Sequence, residues 1–215
     1  MNAKKAASKQ TGHENEIVAL HAIGTVGWLS KKQVGGWLYP ESTEHNATNK
    51  AARVLGRLLT RGEVKRRDED SENRRGGISF GTGFYVLTLT GAARANDGMT
   101  TKYFRAGWNL SQLDIGRQST AVGYLIKMRR QGCEVVGAAG VRRGLELDAM
   151  GGRDLKGADG LVGAAEGLTV VLVVRNLHDE LVKKAKRLEK EAEKLELLGN
   201  SWILKEFRKK MRKEQ

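Results

Sequence analysis

Between residues 46 and 61, amides and cations recur at helical spacing: Asn46, Asn49, Lys50, Arg53, Arg57 and Arg61. Side-chain amides match the donor–acceptor pair on adenine, arginines match guanine, and both cation types pair with phosphate oxygens. From Lys50 to Arg61 the steps are three, four and four residues, which on a helix makes one line of cations over about three turns. Ala47, Ala51, Val54, Leu55, Leu58 and Leu59 form an aliphatic face, the side expected to be buried. The chemistry expected of this segment is recognition of duplex DNA, with all four cations projecting away from the aliphatic face. Arginines tucked into ion pairs, or an outer side covered by another part of the chain, would collapse the case for duplex recognition that rests on this line. A merely solvated outer face is the ordinary alternative for any basic helix.

More cations follow at once. Lys65, Arg66 and Arg67 lie in a short strand candidate, GEVKRR, and Arg74 and Arg75 stand at the far side of a turn-rich tip, DEDSENRRGG. On a β-hairpin these residues are placed to meet the DNA backbone or a minor groove. The acids Asp68 to Glu72 make the tip itself a poor close phosphate contact.

Candidates for catalysis are fewer. His13, His21, His45 and His178 are scattered without zinc-ligand spacing, and no phosphate-cradling glycine loop is present. Tyr85, Tyr103 and Tyr124 lack the histidine cluster that metal-assisted strand transfer needs. The stretch GADGLV followed by GLTVVLVVRN resembles the core of the P-D…(D/E)-x-K nuclease fold. That resemblance implies a helix ahead of three strands, Mg²⁺ on an Asp of the second strand and an acid of the third, and a lysine that activates water. Asp159 fills the first position, but Val173 stands in place of the acid, Arg175 in place of the lysine and Ala158 in place of the proline. A valine cannot bind a hard cation, so a metal would need Asp159 together with Glu146, Asp148 or Glu166. The expectation is a nuclease-like scaffold that has lost its metal site, with no cofactor. Mg²⁺ enters only under the endonuclease alternative.

These groups need elements to hold them. Residues 1–13 read as a basic disordered arm. From 14 to 98 the order is three helices, a hairpin and a further helix, the order of a winged helix-turn-helix. Ser30 and Gln33 form a capping-box pair that opens the second helix, Pro40 closes it, and the third begins near Ala47. GMTTKYFRAGWNLSQLD reads as a linker. Residues 108–178 read as a helix and three strands, the last apolar on both faces and so central in a covered sheet. Residues 179–215 read as C-terminal helices with a basic tail. Leu181, Ala185, Leu188, Ala192 and Leu195 form their seam, suited either to a coiled coil or to docking on the chain's own sheet. The expected fold class is α+β: an N-terminal winged helix-turn-helix followed by a small α/β restriction-endonuclease-like domain and C-terminal helices.

Thirty-eight Lys and Arg against 25 Asp and Glu give a net charge of +13, which favours a polyanionic partner. The one cysteine, Cys133, allows no internal disulfide and fits a reducing cytosol. No apolar run approaches the ~20 residues that span a bilayer, so a cytoplasmic protein without membrane insertion is expected. Residues FYVLTLTGAARA, SQLDIGRQSTAVGYLIK and GADGLV…LTVVLVVRN together resemble the replication-relaxation family of mobile genetic elements. They are also similar to accessory proteins of plasmid mobilisation. The resemblance implies a non-enzymatic factor on double-stranded DNA at an origin of transfer or replication, assisting a relaxase or replication initiator. A second copy of the chain is a further candidate partner. The alternatives are a Mg²⁺-dependent endonuclease and a winged-helix transcriptional repressor.

Overall fold

The computed structural model describes residues 2–67, 83–99, 101–102, 104–106, 112–145, 155 and 157–213, with 2–10, 112–115 and 213 as backbone. The described residues are mixed α and β, with two small sheets among them, and the chain divides into two compact units, Met1–Trp108 and Asn109–Gln215.

The first unit opens with helix α1, Asn2–Val26. Residues 2–13, expected as a disordered arm, are its first turns; their alanines, lysines and glutamine are strong helix formers. Ala19, Leu20, Ile23 and Val26 are buried, and Gly27, at φ 102°, ends the helix. Strand β1, Leu29–Ser30, leads to helix α2, Lys31–Leu38. The capping box forms as expected: Ser30 Oγ accepts from the Gln33 amide at 3.3 Å, and Gln33 Oε1 accepts from the Ser30 amide at 2.9 Å. Helix α2 stops before Tyr39, where the following Pro40 disfavours helical backbone.

Helix α3, Glu44–Thr60, begins three residues earlier than expected. It crosses α2 at Gly35, where a Cβ would fall 2.8 Å from the Ala47 carbonyl carbon. Gly62, at φ 66°, terminates it: the Gly62 amide donates to Leu59 O and the Glu63 amide to Leu58 O, both at 2.9 Å, a Schellman motif. Strands β2, Val64–Arg67, and β3, Phe84–Leu87, pair antiparallel from Val64↔Leu87 to Arg67↔Phe84. Strand β3 also pairs with β1, giving the order β1-β3-β2. Helix α4, Leu89–Ala95, follows, capped by Thr88. The expected linker is partly anchored in this unit. Phe104 is buried, stacks on His21 at 5.1 Å, and exchanges backbone hydrogen bonds with the Asn96 side chain at 2.8 and 2.9 Å.

The second unit starts with helix α5, Gln112–Arg130. Strand β4 (Glu134–Gly137), short helix α6 (Ala138–Arg142), strand β5 (Gly160–Ala164) and strand β6 (Gly167–Val174) follow. Helix α7, Asp179–Glu191, strand β7, Lys194–Gly199, and helix α8, Ser201–Lys213, complete the unit. The sheet order is β4-β5-β6-β7, antiparallel up to β6, with β7 parallel to β6. Strand β6 is central and buried, as its unbroken apolar run predicts.

The coiled-coil alternative is corrected at β7. KLELLG is a strand, so Leu195 leaves the seam, and α7 serves as the crossover that a parallel pair requires. Val182, Ala185 and Leu188 dock on the chain's own sheet, in one core with Leu168, Val170, Leu172, Val174, Phe207 and Met211. Residues 179–213 therefore belong to the second unit rather than forming a separate helical piece. Among the described residues, no helix is long and apolar enough to cross a membrane.

Candidate nucleic-acid interface

Helix α3 buries Ala47, Ala51, Val54, Leu55 and Leu58. At about 100° per residue, the positions opposite this stripe are Asn49, Arg53, Gly56 and Thr60, with His45 and Asn46 beside them. Asn46, Asn49 and Arg53 are exposed. Asn49 Nδ2 lies 3.0 Å from His45 Nε2, and a Cβ built on Gly56 would meet nothing within 4 Å beyond the helix's own backbone. This face is open and polar.

Lys50, Arg57 and Arg61 lie instead on a flank, roughly a quarter turn from the buried stripe. Lys50 Nζ donates to Ser42 Oγ at 3.2 Å and sits 5.2 Å from the Tyr39 ring centre. Arg57 Nε donates to Glu16 Oε1 at 2.6 Å, and Arg61 Nη2 reaches Glu16 Oε2 at 2.5 Å. Arg61 Nε also meets Glu63 Oε2 at 3.2 Å. Arg94 bridges both acids, at 3.0 Å to Glu16 Oε2 and 2.6 Å to Glu63 Oε2. The expected outward line of four cations is thus corrected. Steps of three and four residues drift around a helix, and the drift turns Arg57 and Arg61 toward α1.

Glu16 is the centre of this cluster, with its side chain 5% exposed. Burial pushes its carboxyl up, but hydrogen bonds from Arg57, Arg94 and Arg61 outweigh burial and lower it to about 2. The cluster ties α1 to α3, to α4 and to the turn before β2. Neither Glu16 nor Glu63 nor Arg94 stands out as functional in the sequence. One signal was legible: Glu16 shares the spacing of Ala19, Leu20 and Ile23, so it occupies the buried stripe of α1.

Lys65, Arg66 and Arg67 are exposed on β2, which among the described residues is an edge strand of its sheet, as β1 is on the other side. Arg74 and Arg75 lie outside the described residues, as do Glu146 and Asp148.

In the second unit Asp159 is 3% exposed. Its Oδ2 accepts from the Val173 amide at 2.8 Å, and Oδ1 lies 3.3 Å from Arg117 Nε. Burial pushes the nearby Lys184 ammonium down, against the pull of the Asp159 carboxylate. Glu166 is exposed in the turn after β5, whereas Asp159 precedes that strand. The intervening strand separates them by about 20 Å at ~3.3 Å per residue, so they cannot share one ion. Among the described residues, no three His, Cys, Asp or Glu side chains form a group able to hold a metal. Arg175 lies against Gly116 of α5.

A scan against protein-family models, a search of curated proteins and a search of solved structures each returned no match.

Proposed function

We propose that this chain is a non-enzymatic protein that binds double-stranded DNA through its first unit, a winged helix-turn-helix. The observation that carries this reading is the open face of α3. Asn46, Asn49 and Arg53 are exposed on a helix whose other side is anchored by Ala47, Ala51, Val54, Leu55 and Leu58. Helix α3 enters the major groove, where Asn49 and Arg53 meet base edges. Lys65, Arg66 and Arg67 on the following strand meet the backbone, and Lys50 assists from the flank. Arg57 and Arg61 hold the helix at its angle through Glu16. The element order α1-β1-α2-α3-β2-β3 and the net charge of +13 support the same reading.

The second unit is a nuclease-like scaffold without its metal site. A helix before three antiparallel strands supports this, as does an Asp159 carboxylate committed to Arg117 and the Val173 amide. Action at an origin of a mobile element, beside a relaxase or initiator, rests on the family resemblance alone.

Duplex affinity measured from 50 to 200 mM salt tests the proposal. Affinity falls steeply, with a log–log slope of about −0.9 per phosphate contacted, and Lys65→Ala with Arg67→Ala flattens it. A chain that binds no duplex at the lowest salt contradicts the proposal.

A further inference from the structure

Helix α8 carries an aromatic ring where a folded chain seldom leaves one. Trp202 is 65% exposed, whereas Trp28 is 0% and Trp37 4% exposed. Its position is fixed by what precedes it. A Cβ on Gly199 would strike the Val174 carbonyl oxygen, and Asn200 Oδ1 accepts from the Trp202 amide at 3.0 Å. At about 100° per residue, Lys205, Arg208, Lys209 and Arg212 share roughly a third of the helix circumference with Trp202. All four are exposed. Lys209 pairs with Glu206 at 2.7 Å. The helix rises about 15 Å from Trp202 to Arg212.

The opposite side of α8 is already used. Phe207 and Met211 are buried in the core of the second unit, with Ile203 and Leu204 packed against it. An interfacial membrane helix must sink its apolar face into lipid, and α8 has none to offer. What remains is one flat aromatic surface beside a cationic row. That pair matches an unpaired base, which stacks, and its phosphates, which neutralise the row. Bases within a duplex present no free face.

We propose that the outer face of α8 binds single-stranded nucleic acid, with a base stacked on Trp202 and phosphates held by Lys205, Arg208 and Arg212. This site belongs to the second unit and does not rest on the duplex reading.

The test uses the full chain and three probes: a thymidine oligomer of about 15 nucleotides, a mixed-sequence duplex, and vesicles of phosphatidylcholine with phosphatidylserine. Trp202→Ala is expected to weaken oligomer binding about 5- to 150-fold, to remove the quenching of tryptophan emission on binding, and to leave duplex binding as it was. Lys205→Glu with Arg208→Glu weakens oligomer binding without touching the ring, and Arg53→Ala leaves it unchanged. Oligomer affinity unaltered in Trp202→Ala overturns the proposal. So does binding to the vesicles with none to the oligomer.

Discussion

Glu16→Gln keeps the size of the side chain and removes the charge that gathers three arginines. Lowering a carboxyl from 4.5 to about 2 corresponds to about 3 kcal/mol at about 1.36 kcal/mol per pH unit. Arg57 and Arg61 have side chains 45% and 42% exposed, so solvent screens part of this, and a loss of about 2 kcal/mol is expected. Because the folded state holds Glu16 below its ordinary value, the stabilisation is complete above pH 4.5. It fades as pH falls toward 2. Urea unfolding in a Trp202→Phe background, followed by tryptophan emission, reports the first unit, because the three remaining tryptophans, Trp28, Trp37 and Trp108, all fall within Met1–Trp108. At pH 7 the variant unfolds at lower urea, and the gap from the wild type closes between pH 4.5 and about 2. A gap that is absent at pH 7, or constant across that window, refutes the clamp.

Arg57→Ala and Arg53→Ala should part company. The first lowers the stability of the first unit by about 1–3 kcal/mol, read by thermal unfolding; the second leaves stability within about 0.5 kcal/mol and weakens duplex binding. Gly35→Ala forces α2 from α3 and costs about 1–3 kcal/mol, measured by urea unfolding. Asp159→Ala strips Arg117 of its carboxylate and should destabilise the second unit by about 3–5 kcal/mol, by the same measurement. Metal-dependent nicking of supercoiled DNA that disappears in that variant would instead restore the endonuclease alternative.

Local signals were legible where one short stretch decides the outcome. The Ser30–Gln33 cap, the Pro40 stop and the apolar run of β6 each act within a few residues, and each formed as read. Strand β7 was not legible, because KLELLG continues the leucine spacing of α7 and only pairing with β6 makes it a strand. The cation line failed for a similar reason. Spacing alone placed Arg57 and Arg61 beside Arg53, while their direction depends on Glu16, 41 residues from Arg57. Phe104, within an apparent linker, is held by His21 and Asn96, contacts that no local pattern announces.

Sequencing the duplexes that the wild type and Asn49→Ala/Arg53→Ala retain from a random pool probes the open face of α3 directly. The wild type should enrich a defined motif, and the variant should lose its preference at one or two neighbouring base pairs, each worth about 1–3 kcal/mol. Identical motifs from both proteins, or no enrichment by either, would mean that this face does not read DNA.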